Sequence, residues 1–236
     1  MKIQDSTAFV TGANRGLGLA YAKALLAAGA RKVYAGARDP STVPSLEGLV
    51  PVRIDVNHAG DIAAAAAQCG DVDLLINNAG VIGSEPLLGA NGVNALDTVL
   101  NTNLHGVLAV SRAFAPVLRA NGGGALVNML SALSWTSLPG SASYSISKAA
   151  AWALTNGLRN ELRGQGTLVV GVHAGYIDTD MVKDVDSPKS RPEDIAQAVL
   201  DGIEAGASEV LADDTARYVK TGFTAVPSLY LGGIPA

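Results

Sequence analysis

The sequence predicts a single α/β domain in which a doubly wound parallel sheet carries helices on both faces. Short apolar runs alternate with longer stretches of helical periodicity from the first residues onward, which is typical of βα units. The 236 residues are 48% hydrophobic and 16% charged, enough apolar material for one sizeable core. No linker, charge block or low-complexity tract divides them, so residues 1–236 are expected to form one folding unit.

Each expected strand is a short apolar run. Two of the expected helices have recognisable ends, since Gly29 closes the first helix and Pro192 stands at the start of the last. The expected strands are Ser6 to Val10, Lys32 to Ala37, Val50 to Asp55, Asp73 to Ile76, Ala125 to Leu130, Thr167 to His173 and Glu209 to Leu211. The expected helices are Leu17 to Ala28, Ile62 to Gln68, about Val93 to Arg119, Ser141 to Arg163 and Arg191 to Ala205. Parallel sheets bind ligands beyond the carboxyl ends of their strands, so chemistry is sought in the segments that follow each strand.

Charge and hydropathy argue against several partners. The net charge of −4 lacks the clustered Lys and Arg of a nucleic-acid binder. No apolar run approaches the roughly 18 to 20 residues of a membrane span, and no signal-peptide core is present. Cys69 is the only cysteine, which fits a reducing compartment, so a cytoplasmic protein is expected. The three histidines match no metal-ligand spacing, and no metal is expected.

A glycine-rich turn, Thr11-Gly12-Ala13-Asn14-Arg15-Gly16-Leu17-Gly18, follows the first strand and runs into the first helix. Such a turn lets the backbone approach a pyrophosphate and aims free N–H groups at it. The spacing is neither the Walker pattern nor G-x-G-x-x-G. Taken alone, it fits a plain tight turn as well as a nucleotide site. As a nucleotide site, its candidate contacts are Gly12, Asn14, Arg15, Gly16, Leu17 and Gly18.

The end of the second strand favours one dinucleotide over another. An NAD-specific site offers an acid there to the ribose 2′-hydroxyl, whereas this strand ends in Ala37-Arg38. The guanidinium groups of Arg38 and Arg15 can form a clamp on a 2′-phosphate. NADP(H) is therefore favoured over NAD(H). Asp39 could turn inward to a free ribose, although before Pro40 it is expected to cap the turn.

The ends of the third and fourth strands add further candidate cofactor contacts. Asp55 can accept a hydrogen bond from an adenine amino group, with the backbone of Val56 beside it, although a lone Asp at a strand end is commonly a turn cap. Asn77 is followed by Asn78, Ala79 and Gly80, small or amide residues placed where a nicotinamide half would pass. Taken alone, this segment is only a turn.

Tyr144 and Lys148 stand four residues apart in an expected helix, which places both side chains on one face. A phenol titrates near 10 in water. Its use in proton transfer near neutrality requires cations that favour the phenolate, and Lys148 with the nicotinamide charge would supply them. Ser131, at the end of the fifth strand, is placed to hydrogen-bond a substrate oxygen.

The order of these motifs resembles the short-chain dehydrogenase/reductase family, and the resemblance covers nearly the whole chain. The motifs are, in order, Thr11-Gly12-x-x-x-Gly16-x-Gly18, Asn77-Asn78-Ala79-Gly80, Asn103, Ser131, Tyr144-x-x-x-Lys148 and Gly175. Within it, the chain resembles an NADP(H)-preferring, carbonyl-reductase-like member. The resemblance implies a Rossmann-like sheet of about seven strands and a catalytic set of Asn103, Ser131, Tyr144 and Lys148. It also implies that the tyrosine protonates the carbonyl oxygen, that the lysine binds the nicotinamide ribose, and that the asparagine holds a water leading to solvent.

Two departures from that family's pattern concern the cofactor loop and the strand-five end. The usual Pro-Gly after strand six is Ala174-Gly175 here, which leaves the loop less stiff. Gly175, Ile177 and Thr179 are kept as expected cofactor contacts. Residue 130 is Leu where many relatives carry a second serine, but Ser131 keeps its spacing to Tyr144.

The substrate side is less defined. The polar segment from Asp180 to Arg191 is short, which suggests an open site for a range of ketones or aldehydes. Four apolar residues are candidate walls, Leu133, Trp135, Leu138 and Tyr176, although Trp135 and Tyr176 fit core or interface positions equally well. The apolar faces of the two long helices suggest subunit contact, and the family resemblance implies a homodimer or homotetramer. The tail from Tyr218 to Ala236 is expected to help close either the site or the interface.

Three functions are compatible with these residues. The leading one is an NADP(H)-dependent carbonyl reductase or secondary alcohol dehydrogenase acting on a small-molecule carbonyl or alcohol. The second is a dedicated biosynthetic ketoreductase for a 3-oxoacyl thioester or a cyclic ketone. The third is a dinucleotide-sensing binding protein, which the intact Ser131, Tyr144 and Lys148 disfavour, since a sensor needs no acid/base set.

Overall fold

A computed structural model describes residues 1–232, and it contains one parallel sheet. Its strands are β1 (Thr7–Thr11), β2 (Lys32–Ala37), β3 (Leu49–Arg53), β4 (Leu74–Asn77), β5 (Ala125–Met129), β6 (Leu168–His173) and β7 (Glu209–Leu211). Their order across the sheet is β3-β2-β1-β4-β5-β6-β7, and every neighbouring pair is parallel. Pro51 lies in β3, an edge strand, where its missing N–H removes no central ladder bond. The predicted doubly wound sheet of about seven strands is confirmed.

Helices cover both faces of this sheet. They are α1 (Gly16–Ala27), α2 (Ala59–Gln68), α3 (Gly92–Leu100), α4 (Val107–Ala120), α5 (Ala142–Leu162), α6 (Pro192–Glu204), α7 (Asp214–Phe223) and α8 (Leu229–Gly232). None of the helices in residues 1–232 combines the length and apolarity needed to cross a membrane.

The alternation of side chains along each strand divides the core into two layers. Val10 of β1 packs with Tyr21 of α1 and Ile195 of α6 on one face. Its neighbour Phe9 packs on the other face, with Phe114 of α4 at a ring-centroid distance of 4.7 Å. Successive strand residues point to opposite faces, so an unbroken apolar run is what a sheet covered on both sides requires.

The predicted long helix from Val93 to Arg119 has three parts in the structure. Between α3 and α4 lies a π-helical segment, Asn101–Gly106, in which the turn widens by one residue. Asn103 lies within it, only 1% exposed, and its side chain bonds to the backbone of Val81. A π-helical turn of this kind frequently marks a functional position.

Helix α2 begins before the predicted Ile62 because a side chain caps it. His58 Nδ1 accepts the backbone N–H of Asp61 at 3.2 Å, which satisfies one of the free N–H groups of the first turn. His58 therefore serves as the N-cap of α2.

The sheet order reverses between β1 and β4, which leaves a crevice at their carboxyl ends. The segments that follow these two strands carry the glycine turn and Asn78-Ala79-Gly80. Val219 of α7 and Leu229 of α8 join Trp135, which follows β5, in a separate apolar cluster. Of the predicted tail, residues 233–236 lie outside the described part.

Candidate active site

The glycine turn packs closely against the segment that follows β4. Gly12 and Gly16 have φ angles of 67° and 53°, in the left-handed region that favours glycine. A methyl group on Gly18 would overlap the Gly12 carbonyl oxygen and would lie 2.7 Å from Asn78 Nδ2. Within residues 1–232, no side chain caps the first turn of α1, and that turn holds no acidic residue. Its N–H groups and positive dipole end are therefore suited to an anion.

Thr11, the last residue of β1, joins the two segments. Its Oγ1 accepts the backbone N–H groups of Asn78 at 2.9 Å and Ala79 at 3.0 Å. In return, Asn78 Nδ2 donates to the Thr11 carbonyl oxygen at 2.9 Å. Thr11 begins the glycine-rich motif in the sequence, but this linking role was not predicted, although a polar residue that ends a buried strand is a signal for it.

The two arginines predicted to clamp a 2′-phosphate are both exposed. Arg15 Nη1 donates to Asp180 Oδ2 at 2.8 Å, in a pair whose side chains are 70% and 72% exposed. Arg38 directly follows β2, and Asp39 caps the next turn. Hydrogen bonds from the Ser41 hydroxyl and N–H, at 2.7 and 3.0 Å, hold the pKa of Asp39 below its usual range. The prediction that Asp39 caps a turn is confirmed.

The predicted adenine contacts lie at the end of β3. Asp55 Oδ1 accepts the backbone N–H of Asn57 at 2.9 Å, so this carboxylate acts as a turn cap in the structure. Val56 packs against Gly106, where an added methyl group would lie 3.0 Å from Val56 Cγ2. Asn14 Nδ2 bonds to Thr42 Oγ1 at 3.1 Å. Adenine contacts by Asp55 and Val56 stay predictions.

Three of the predicted catalytic side chains meet where β5 ends against α5. Tyr144 and Lys148 lie on one face of α5, with Lys148 Nζ 5.6 Å from the centroid of the Tyr144 ring. The Ser131 hydroxyl lies beside the Tyr144 phenol, close enough to influence its pKa. Lys148 is 5% exposed, and its Nζ donates to the Met129 carbonyl oxygen at 2.7 Å.

From the sequence we expect cations to lower the pKa of Tyr144 and so favour its phenolate. In the structure the pKa of Tyr144 is raised instead. Burial raises the pKa of Tyr144 to about 12, and the nearby Ser131 hydroxyl opposes that rise. Burial lowers the pKa of Lys148 to about 8. With Lys148 Nζ turned to the Met129 carbonyl, the phenol keeps its proton at neutral pH. This protonation state suits an acid that donates a proton.

Asn103 completes the predicted set. Its Oδ1 accepts the N–H of Val81 at 2.9 Å, and its Nδ2 donates to the Val81 carbonyl and to Ser147 Oγ, both at 2.9 Å. A methyl group on Gly80 would lie 3.2 Å from Asn103 Oδ1 and 3.8 Å from Lys148 Nζ. Asn103 therefore lies beside Lys148, whereas Asn101 is exposed on the outside of the helix.

The loop after β6 brings Thr179 to the glycine turn. A methyl group on Gly16 would lie 3.3 Å from Thr179 Cγ2. Ile177 pairs with Ser190 as an isolated parallel bridge, which ties the loop to the segment before α6. The Gly175 N–H donates to Asp213 Oδ2 at 2.8 Å, so a cofactor contact by Gly175 is left to its carbonyl oxygen.

Trp135 occupies a core position, which is one of the two alternatives that the sequence leaves open, and this burial argues against the other, a substrate wall. It is 5% exposed and stacks on the His173 ring with a centroid distance of 3.8 Å. Trp152 meets it edge-on at 6.5 Å, and Lys220 Nζ lies 4.4 Å from its centroid. A short 3-10 turn, Ala132–Ser134, leads the chain into this cluster.

The remaining predicted wall residues, Leu133, Leu138 and Tyr176, are partly exposed and stay predictions. Sequence analysis missed Asp180 and Asp213 as residues that organise the site. For Asp213 a signal existed, since an Asp directly before an acid-led helix is a typical N-cap. Within residues 1–232, no group of three His, Cys, Asp or Glu side chains is arranged to hold a metal ion.

The lowered pKa of Lys148 makes stability depend on pH. The unfolded chain carries a lysine of pKa near 10.4, whereas the folded protein protonates Lys148 only below about 8. Between these values the unfolded state binds more protons, so the free energy of unfolding rises with pH. Relative to Lys148→Met, the unmodified protein should gain about 2 kcal/mol between pH 7 and pH 10. Urea unfolding at both pH values measures this, with the exposed Lys183→Met as the control. Parallel behaviour of all three proteins would contradict it.

Comparison with known proteins agrees with this geometry. The family model for short chain dehydrogenase matches residues 6–190. The chain is 32% identical over 234 residues to the 2-(R)-hydroxypropyl-CoM dehydrogenase of Xanthobacter autotrophicus, covering 90% of this chain and 93% of that protein. It is 34% identical over 203 residues to the short chain dehydrogenase tazN of Aspergillus terreus, covering 77% of this chain and spanning 43% of that longer relative.

A solved structure is similar over the full length. It is a short chain dehydrogenase from Burkholderia cenocepacia J2315 in complex with NADP, 40% identical, with a TM-score of 0.95 and all of both chains covered. The family match spans most of the chain and includes the glycine turn, Ser131, Tyr144 and Lys148. The chain belongs to the short-chain dehydrogenase family and is an oxidoreductase.

Proposed function

We propose that this protein is an NADP(H)-dependent oxidoreductase that reversibly interconverts ketones or aldehydes and alcohols through Asn103, Ser131, Tyr144 and Lys148. The observation that carries the proposal is the meeting of three side chains at the end of β5: Ser131 lies beside a protonated Tyr144, and Lys148 Nζ lies 5.6 Å from the centroid of the phenol ring. This places a proton donor and a second hydroxyl where both can reach one oxygen atom of a substrate.

The residues beside this cluster fit a dinucleotide. The start of α1 has no side-chain cap, and the close packing at Gly18 leaves no room for a side chain there. The backbone N–H groups of this turn, which we call the cradle, are therefore suited to bind a pyrophosphate. Arg15 and Arg38 flank the ribose end, and the Asp39 carboxylate is engaged with Ser41. The bound NADP of the similar Burkholderia structure supports NADP(H) over NAD(H). When bound, NADPH supplies a hydride to the carbonyl carbon.

The side chains have separate tasks in reduction. As the carbonyl π electrons move to oxygen, the Tyr144 O–H donates its proton there and the Tyr144 O–H bond breaks. Ser131 donates a hydrogen bond to the same oxygen and stabilises its developing charge. Lys148 favours the resulting phenolate, binds the nicotinamide ribose, and relays a proton from solvent through a water held by Asn103. In oxidation, the same groups act in reverse.

The preferred substrates are small ketones and secondary alcohols. The name of the Xanthobacter relative specifies a 2-hydroxypropyl compound, a secondary alcohol, which supports this class. The short segment between Asp180 and α6 leaves the site open, with Leu133, Leu138 and Tyr176 as its proposed walls.

A spectrophotometric panel tests the function. Purified protein is mixed with NADPH or NADH and a series of ketones and aldehydes, and absorbance is followed at 340 nm. Consumption of NADPH with a ketone, faster than that of NADH, is the expected result. Tight NADPH binding without turnover of any substrate would instead favour the dinucleotide-sensing alternative.

The Arg15–Asp180 pair tunes NADPH binding in this proposal. Asp180 competes with the 2′-phosphate for the Arg15 guanidinium. Asp180→Asn should therefore tighten NADPH binding about threefold at low salt and leave NADH binding unchanged, since an exposed pair contributes at most about 1 kcal/mol. Fluorescence titration at low and high salt measures both constants. Asp184→Asn, the same charge change nearby, is the control, and an equal effect of the two variants would refute the competition.

We also propose that the protein assembles with itself through α4 and α5, as a dimer or tetramer. Leu108 of α4 and Ile146 of α5 are apolar side chains with 42% and 39% exposure, which supports a covered face there.

A further inference from the structure

Asp213 links three segments beyond the catalytic cluster. It lies between β7 and α7 and is 8% exposed. One carboxylate oxygen, Oδ1, accepts the N–H of Ala216 at 2.8 Å and caps α7. The other, Oδ2, accepts the Gly175 N–H at 2.8 Å and the Ser190 hydroxyl at 3.1 Å.

These bonds fix the loop after β6 at both of its ends. Gly175 is where the loop leaves the sheet, and Ser190 is where it returns towards α6. The backbone of Ser190 in turn bonds to the Tyr176 carbonyl at 2.8 Å and the Asp178 N–H at 2.9 Å. The Asp213 carboxylate therefore fixes, through Ser190, the backbone conformation of residues 176–178, which precede Thr179.

The position of Thr179 depends on that conformation. Thr179 Cγ2 packs against Gly16 of the glycine turn, and Thr179 lies within the loop that Asp213 holds. Ala174 has no ring to fix its backbone φ angle, so the shape of the following loop depends on hydrogen bonds. Charge-assisted hydrogen bonds to a buried carboxylate compensate for that missing constraint.

We propose that Asp213 is a positioning residue that holds residues 175–179 in the shape that receives the nicotinamide half of the cofactor, an inference that rests on the proposed function. Asp213 touches neither substrate nor cofactor. It acts through Gly175 and Ser190.

Asp213→Ser separates this role from helix capping. A serine at this position still caps α7 by accepting the Ala216 N–H, but its short side chain cannot also reach Gly175 and Ser190. Asp214→Ser removes the same charge from the neighbouring, exposed residue and is the matched control. Thermal unfolding of each variant checks that the fold is retained.

Calorimetric titrations use NADPH, NADH and adenosine 2′,5′-bisphosphate, which lacks the nicotinamide half. Asp213→Ser should raise the dissociation constants of NADPH and NADH alike, about tenfold, because hydrogen bonds to a charged group are lost. The constant for the bisphosphate should stay within about twofold, as should all constants of Asp214→Ser. An unchanged NADPH constant, or an equal loss for the bisphosphate, would overturn the proposal.

A second readout needs no cofactor. Trypsin cuts after lysine, and Lys183 and Lys189 lie in the segment that Asp213 anchors. Cleavage at these residues should be at least about fivefold faster in Asp213→Ser than in the unmodified protein and Asp214→Ser, because a released loop opens more often. Equal rates would overturn the assignment. If the unmodified protein binds no dinucleotide, the proposed function fails, and the proteolysis still decides whether Asp213 holds the loop.

Discussion

Replacing Tyr144 with Phe should lower kcat for ketone reduction by roughly 10³-fold and leave the dissociation constant of NADPH unchanged. The substitution removes one oxygen atom, the proposed proton donor, from a ring whose packing is retained. Because burial raises the pKa of this phenol to about 12, the donor stays protonated across the neutral range. In Tyr144→Phe, Ser131 still hydrogen-bonds the substrate oxygen. It cannot replace Tyr144 as the proton donor, because no neighbouring group would return a proton to the serine hydroxyl.

Absorbance at 340 nm gives kcat, and fluorescence titration gives the NADPH constant. Tyr218→Phe makes the same chemical change on α7, at a side chain that is 58% exposed, and should behave as the unmodified protein. Retention of more than about a tenth of the activity by Tyr144→Phe would show that another group donates the proton. A matching loss of NADPH affinity would point instead to a disturbed cradle.

The proximity of Tyr144, Lys148 and Ser131 could be predicted from sequence because its signals are local, whereas the catalytic roles proposed for them came from the family resemblance. Tyr144 and Lys148 share a helix face by spacing alone, and Ser131 ends a strand whose apolar run is unmistakable. The glycine turn and the order of strands and helices then place these residues at one edge of a parallel sheet. The alternation of Phe9 and Val10 between two core layers follows from the same period-two rule.

The features that the sequence left open depend on contacts between distant segments. Trp135 follows Ser131 closely in the chain, yet it packs on His173 of β6 and Val219 of α7. Nothing near Trp135 in the sequence indicates these contacts. The widened turn at Asn103 likewise arises from its bonds to Val81, which lies in a different segment.

Asp213 and Asp180 illustrate the same limit for polar groups. Each is an ordinary acid in the sequence, and only the fold brings Asp213 to Gly175 or Asp180 to Arg15. The pKa of Tyr144 is a further case. Spacing places Lys148 on the correct face, but only the structure shows its Nζ bonded to the Met129 carbonyl.

Replacing both Arg15 and Arg38 with Ala should weaken NADPH binding about 100-fold and leave NADH binding within about twofold, since each charge-assisted contact to the 2′-phosphate contributes roughly 1.5 kcal/mol or more. The remaining cradle at Gly12 and Gly18 is backbone and does not distinguish the two dinucleotides. Added salt should reduce the difference between NADPH and NADH in the unmodified protein and have little effect in the double variant.

The single variants separate the two arginines. Arg15→Ala leaves the Asp180 carboxylate unpaired beside the phosphate site, so its loss of NADPH affinity should be partly restored in Arg15→Ala/Asp180→Asn. Arg38→Ala leaves no unpaired carboxylate beside the phosphate site, because the neighbouring Asp39 carboxylate is hydrogen-bonded to Ser41. We therefore expect no second substitution of this kind to restore its NADPH affinity. Steady-state KM values and calorimetric constants for both cofactors measure these effects, with Arg119→Ala, exposed at the end of α4, as the control. If NADH binding fell in parallel with NADPH binding, the arginines would be contacts to the shared pyrophosphate, and selectivity for the 2′-phosphate would have to lie elsewhere.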